Sequence, residues 1–534
     1  MIHNPVLPGF HPDPSFIRVG DDFYLATSTF EWFPGIALFH SRDLAHWRPI
    51  GHALTRRSQL DLLGIESSAG PWAPSLSHDG RHFYLVVCQV RTRTNPFKDM
   101  RVMLYQADAI TGPWSDPIVL SGSGFDPSLF HDPQTGRKWL ANIQWDFRPG
   151  QPRFAGIILQ EYDPTQHQLI GEQRTIFTKP LLLEGPNLYW HQGWYYLMCA
   201  EGGTGWNHGI SLARSRDLLG PYEPDPQPLL LTTRQSPGCA LQKAGHGELV
   251  QTAAGEWYLA HLASRPVYPE RRCILGRETC LQKLFWPTNG WPRLAQGGNE
   301  PALDVPAPLE LPPHAWAATN ARDDFDAPAL SPHWQSLRVE IDDSWLNLTG
   351  RRGWLRLRGR ESIHSLFEQS LIAQRIESFR CIIETKLDFA PSHFTQSAGL
   401  ILFYDTTQHY YLRVTHDERL GGKVVGIVQT DDGVYSELHD SMIKIDHWPS
   451  AIYLRAEMDH QRLQFSASPD GRAWQPIGGT LDMTKLSDDY GRTLRFTGAM
   501  AGLCCQDLNT AKAQADFDYF LLEKSPGSAV HAAD

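Results

Sequence analysis

Three acidic residues share one place in a phrase that recurs along the chain. Asp13 stands in HPDPS, Asp126 in GFDPS, and Glu184 one residue ahead of the corresponding point in LEGPN. Two carboxyl groups in different protonation states are what glycosidic bond cleavage requires: one protonates the departing oxygen, and the other activates water or attacks the sugar. Burial beside a second negative charge separates the two pKa values. Singly, each acid also reads as an ordinary turn residue, since Asp favours turns beside Pro, and Asp132 in FHDP has the same character. The equivalence of the three positions is what argues for chemistry. His246 holds the same place in another copy, while Trp72 and Phe125 each precede a copy by one residue. Near carboxylates, His246 can hydrogen-bond the acids or help hold an ion; a lone His is more often structural. Arg277, in LGRET, offers a rigid fork for a carboxylate or a sugar hydroxyl, and reads equally as a salt-bridge partner.

These residues need a scaffold that brings distant segments to one point. Asp13-Pro14-Ser15-Phe16 leads into FYLATS, and Ala73-Pro74-Ser75-Leu76 into FYLVVC. Asp126-Pro127-Ser128-Leu129 leads into KWLANI, Gly185-Pro186-Asn187-Leu188 into YYLMCA, and His246-Gly247-Glu248-Leu249 into WYLAHL. The copies start at 13, 73, 126, 185 and 246, so successive starts lie 53 to 61 residues apart. That is a blade-sized period, with room for two more strands after each hairpin. Five four-stranded units predict a five-bladed β-propeller. The first strand of a blade lies nearest the central channel, so Asp13, Ala73, Asp126, Gly185 and His246 converge on one mouth.

The propeller is assigned residues 1–304. The proline-rich text PALDVPAPLELPP then predicts an extended linker, placed at 305–319. Alternating strands such as CIIETKLDF and HYYLRVTH, with a Ser468-Pro469-Asp470-Gly471 turn, predict a β-sandwich over 320–524 and a frayed polar tail at 525–534. The fold class is therefore all-β. The formal net charge of -11, without an acidic block, argues against a nucleic-acid partner and suits a neutral substrate. No run approaches the roughly 18 apolar residues of a membrane span. The start MIHNPVLPGF has neither a basic nor an apolar leader region, and the eight cysteines show no C-x-x-C spacing. Reduced thiols in a cytoplasm follow as the simplest expectation. The oligomeric state stays open, a homo-oligomer included. The 18 tryptophans are compatible with sugar-binding platforms, although large β-proteins pack many aromatic rings anyway.

The words NPVLPGFHPDPS, ATSTFEWFPG, PWAPSLS, GFDPSLFHD, LEGPNLYW, YYLMCAEGG, GHGELVQT, LGRETCLQK and RFTGAMAGLCCQD, in this order, resemble glycoside hydrolase family 43 and more closely its two-domain β-xylosidases. The resemblance runs from Asn4 to about Lys524. It implies a five-bladed propeller with a concanavalin-like sandwich, and inversion at the anomeric carbon. Asp13 matches the general base, Glu184 the general acid, and Asp126 the acid that orients Glu184 and raises its pKa. Phe30, Trp72, Phe125 and Arg277 match positions that shape the sugar pocket. His246 matches a histidine that holds a hydrated calcium in some relatives; no cofactor is otherwise implied. The implied reaction releases xylose from the non-reducing ends of short β-1,4-xylo-oligosaccharides, with α-L-arabinofuranosidase as a side or main activity. Met500, in FTGAM, stands where similar sequences often carry Phe, in a sandwich segment that lends a loop to the pocket, so a looser aglycone subsite is expected. Arg148 to Phe154 match no motif. The rival readings are a non-catalytic sugar-binding protein and a retaining fructan-active enzyme on a similar propeller.

Overall fold

Short runs of alternating or wholly apolar residues make this chain fold almost entirely as antiparallel strands. In the computed structural model, which describes residues 1–93 and 96–525, the only helical turns among the described residues are two short 3-10 turns at His439–Ser441 and Met483–Lys485. Residues 526–534 of the expected tail lie outside the described residues. No helix is long and apolar enough to cross a membrane among the described residues. All eight cysteines are free thiols.

Five antiparallel sheets follow one another along the first half, each with its strands side by side in chain order. Their first strands are Ser15–Val19, Gly70–His78, Ser128–His131, Leu183–His191 and Gln242–Gln251. Each first strand packs against that of the next sheet, and the fifth packs against the first. This closes a ring of five blades, the architecture predicted from the repeats. Each blade has four strands, and the fourth gains a short extra strand, Leu231–Thr232.

The ring is latched by its own ends. Ile2–His3 pairs with Asp304–Val305. The Val6 and Leu7 amides donate to the Thr279 carbonyl in blade five at 2.9 and 3.2 Å. Asn4 Nδ2 donates to the carbonyls of Leu281 and Ala302 at 2.7 and 2.9 Å. Between blades one and five the buried Glu248 accepts from Ser15 Oγ and the Phe16 amide at 2.9 and 2.7 Å. Burial pushes its carboxyl up to about 8, so the latch carries little charge at neutral pH.

The proline-rich segment lies on the propeller. Tyr258 donates to the Pro306 carbonyl at 2.9 Å, and the His314 amide to Asp43 Oδ2 at 2.7 Å. The Arg48 guanidinium sits 3.8 Å over the Trp316 ring.

The second half forms two large antiparallel sheets face to face. The strand Arg380–Asp388 shows why: Cys381, Ile383, Thr385 and Leu387 are buried, and the residues between them are less so. One of these sheets also recruits a piece of the propeller. Trp32–Phe33, in blade one, pairs with Gln335–Leu337 at the sheet edge. Around this junction a single apolar cluster holds Phe10, Phe30, Trp32 and Trp72 from the propeller with Leu371, Phe403 and Met500 from the sandwich. At the seam the buried Arg338 donates its amide to the Glu31 carbonyl at 2.9 Å and Nε to the Ile65 carbonyl at 3.1 Å. Glu31 Oε2 accepts from the Ser68 amide at 2.9 Å. Burial raises the Glu31 carboxyl to about 7, against the opposing pull of Arg338.

Replacing Arg338 by Met strands a buried carbonyl and an acid without its counter-charge. Arg338→Met is therefore expected to lower stability by about 3 kcal/mol, read as a lower urea midpoint; an unchanged midpoint would remove the seam from any role in stability.

Candidate active site

The starts of the blades share a backbone irregularity. Asp13, Asp126, Gly185 and His246 all lie in the left-handed region, with φ of 54°, 51°, 51° and 39°. The first strands break register there, between Pro71 and Pro74, between Glu184 and Asn187, and across Gln242 to Gly247. Such bulges turn side chains away from the sheet, and for residues other than glycine the conformation persists only where surrounding contacts impose it. Bulges do this for Glu184 and His246, whereas Asp13 and Asp126 stand in left-handed turns just before their strands. The fourth copy shows the constraint most clearly. A Cβ at Gly185 would meet His246 Nε2 at 2.5 Å, so the position equivalent to the aspartates must be bare. The acid of that blade instead stands one residue earlier, as Glu184, whose longer side chain reaches the same space.

One pocket brings together all eight residues singled out from the sequence: Asp13, Phe30, Trp72, Phe125, Asp126, Glu184, His246 and Arg277. Ala73, which the repeats also place at the channel mouth, lines it too, and Thr204, His208 and Phe496, which the sequence did not single out, complete it. Arg277 organises the polar side. Its Nη1 donates to Asp13 Oδ1 at 2.9 Å and to Thr204 Oγ1 at 3.1 Å, and its Nη2 to the Phe496 carbonyl at 2.9 Å. Ser28 Oγ donates to Asp13 Oδ2 at 2.8 Å, so both oxygens of Asp13 are held. Glu184 is raised to about 7 by burial and by the charge of Asp13, with Arg277 and Lys98 pulling it back. Asp126 is held well above the usual carboxylate range by burial, then by Glu184 and Asp13. Glu184 and Asp126 are thus biased toward the protonated form that proton donation requires, while Asp13 is held by a cation and a hydroxyl.

The histidines are held neutral. Burial lowers His246, and burial together with nearby His246 pushes His208 to about 3. His246 Nδ1 lies 3.6 Å from Asp13 Oδ1, too far for a hydrogen bond. The same residues fail to make a protein-built calcium site. Calcium takes six to eight oxygen ligands, whereas this point offers one imidazole and an Asp13 already bound to Arg277 and Ser28. Among the described residues, the cluster whose ligand atoms do converge is Cys273, Asp488 and Asp489. Lys243 Nζ already sits against it, 3.2 Å from Asp488 and 2.6 Å from Asp489.

The apolar side is a set of four rings. Trp72 meets Phe125 edge-on at 5.2 Å and Phe496 at 5.5 Å, and Phe496 stacks on Phe30 at 6.0 Å. Trp72 Nε1 donates to the Ser68 carbonyl at 3.1 Å, and Ser68 Oγ accepts from the Phe496 amide at 3.1 Å. Phe496 is the contribution of the sandwich, which corrects the expectation placed on Met500. Met500 opens the strand Met500–Asp507 and is wholly buried in the seam, away from the pocket lining. The expected segment is right and the residue is four positions off, because strand pairing with Arg375 and Phe403 draws Met500 into the sheet. No residue of the stretch 148–154 lines the pocket.

The relatives of this chain agree with that geometry. Residues 2–292 match glycosyl hydrolases family 43, and residues 322–523 match the beta xylosidase C-terminal concanavalin A-like domain. A xylan 1,3-beta-xylosidase of a Vibrio species is 43% identical, over 97% of this chain and 98% of its own. A non-reducing end alpha-L-arabinofuranosidase of Bacteroides ovatus is 35% identical, over 97% of this chain and 94% of its own. The crystal structure of a xylan beta-1,4-xylosidase from Bacillus halodurans superposes with a TM-score of 0.95 at 50% identity, covering 98% of this chain and all of that one. A buried acid cluster at the axis of a five-bladed propeller, closed by a ring from a concanavalin A-like sandwich, and matches along nearly the whole chain lead to one conclusion: this protein is a glycoside hydrolase belonging to family 43.

Proposed function

We propose that the enzyme is an inverting, exo-acting β-xylosidase that releases xylose from the non-reducing ends of short β-1,4-xylo-oligosaccharides. The observation that carries this reading is the division of the acids: Asp13 is clamped by Arg277 and Ser28, while Glu184 is half-buried and raised to about 7. Asp13 takes a proton from water as that water attacks the anomeric carbon. Glu184 protonates the departing glycosidic oxygen. Asp126, itself held well above the usual carboxylate range, lies close to Glu184 and orients it. Phe30, Trp72, Phe125 and Phe496 pack the apolar faces of the terminal sugar, and Phe496 walls the pocket against longer insertion, which supports action at chain ends. The 50% identical xylan beta-1,4-xylosidase supports the choice of sugar and linkage. The Bacteroides arabinofuranosidase supports α-L-arabinofuranoside cleavage as a side activity. Working domains of 1–304 and 320–524, a cytoplasmic location and imported oligosaccharides as substrates belong to the same reading. No step is assigned to a calcium ion at His246.

Asp13→Ala should lower kcat/KM on xylobiose by about 10³-fold or more. Glu184→Gln should lose as much on xylobiose yet retain far more activity on an aryl β-D-xylopyranoside with a good leaving group; equal losses on both would remove Glu184 from the role of acid. Because Glu184 must carry its proton, and its carboxyl is raised to about 7, kcat/KM should fall as pH rises through neutrality. A profile that stays flat well above neutral pH would contradict this. Phe496→Ala should reduce kcat/KM on xylobiose about tenfold, the cost of one apolar contact, while leaving the pH profile in place.

A further inference from the structure

A cavity of about 540 Å³ lies between blade one and the sandwich and shares no lining residue with the active pocket. Its polar wall comes from both domains. His11 and His52 belong to the propeller, and His333 and Arg375 to the sandwich half. Arg375 ends the strand Ser370–Arg375 and is 7% exposed. Its Nε donates to the Phe10 carbonyl at 2.6 Å, and its guanidinium lies 5.4 Å from the Phe10 ring. Its Nη2 is buried without a protein partner. The neighbouring acid, Glu377, pairs instead with Lys524 at 3.0 Å. Burial, opposed only by Glu377, pulls Arg375 down to about 10, which leaves it charged at neutral pH.

Two imidazoles add to this wall. His11, 5% exposed, has a buried Nδ1 with no protein partner, and His52 has a buried Nε2 with none. Burial and the charge of Arg375 keep both neutral, so each can present an N–H. Phe39 and Trp47 supply an apolar floor. The acids on the rim are Glu377, already paired, and the exposed Glu523.

A buried guanidinium without a carboxylate is costly, and its fork matches the two oxygens of a carboxylate or phosphate group. We propose that this interdomain cavity is a second ligand site, which binds a small molecule bearing an oxyanion. Arg375 holds the anion, the N–H groups of His11 and His52 complete its shell, and the remaining volume beside Trp47 takes an organic body.

The test is isothermal titration of the full-length enzyme with inorganic phosphate and with D-glucuronate. Xylose is kept saturating in a parallel run to mask the active pocket. At least one anion should bind with one-to-one stoichiometry and a Kd of about 1 mM, unaffected by xylose. Phosphate alone would identify a bare oxyanion, and tighter glucuronate an acidic sugar. Arg375→Gln should weaken binding at least tenfold, and His52→Phe, which stands at the less buried edge, does the same if the first variant fails to fold. Absence of saturable binding by both anions would mean that water alone fills the cavity and would overturn the proposal. Binding that survives the substitutions would overturn it as well, by placing the ligand elsewhere.

Discussion

One buried guanidinium ties the acid-lined pocket to both halves of the molecule. Arg277 reaches Asp13 of blade one, Thr204 of blade four and the carbonyl of Phe496 in the sandwich with two nitrogens. A planar, permanently charged fork can satisfy a carboxylate and carbonyls at once, which a lysine cannot. It also partly cancels the charge of Asp13 beside the two further acids of the pocket. The same guanidinium that holds Asp13 thus also anchors Phe496, together with Ser68 and the rings of Phe30 and Trp72.

The acids are arranged so that burial and charge act in sequence. Asp13 has a cation and a hydroxyl; Glu184 and Asp126 have burial and each other's neighbourhood. The histidines that border them are neutral, so they shape the site without adding positive charge that would draw Glu184 down. Left-handed backbone at four of the blade starts holds this arrangement in place. Such conformations are sustained by the ring itself, whose first strands pack on one another and whose ends are latched across blades one and five.

The domain seam is more than a contact between finished units. Strand pairing through Trp32–Phe33, a shared apolar cluster and the Glu31–Arg338 pairing make the sandwich part of the pocket's wall. The same seam encloses the cavity around Arg375. Phe10 belongs to both regions, since its carbonyl accepts from Arg375 and its ring lies 5.9 Å from Phe30 in the pocket.

Much of this was legible in the linear text, because a propeller repeats. Five in-phase copies, each with a turn and an aromatic-rich strand, specify five blades. The geometry of a blade then places the first residue of every copy at the channel, which is how Asp13, Asp126, Glu184 and His246 could be grouped without coordinates. Trp72 and Phe125 follow from their places just ahead of two copies and Arg277 from the chemistry of its fork, whereas Phe30 rests on the family resemblance alone. What the sequence by itself determined is local and periodic: strand alternation, turns, copy number, and the residue types at each blade start. Tertiary structure alone decided which atoms meet across hundreds of residues. Phe496 rather than Met500 enters the pocket because sheet pairing claims Met500, and Thr204 and His208 join it because Arg277 and the blade-four loop meet there. No spacing rule carries that information, since contacts between the two domains depend on how finished surfaces dock, and docking is set by packing and charge in three dimensions.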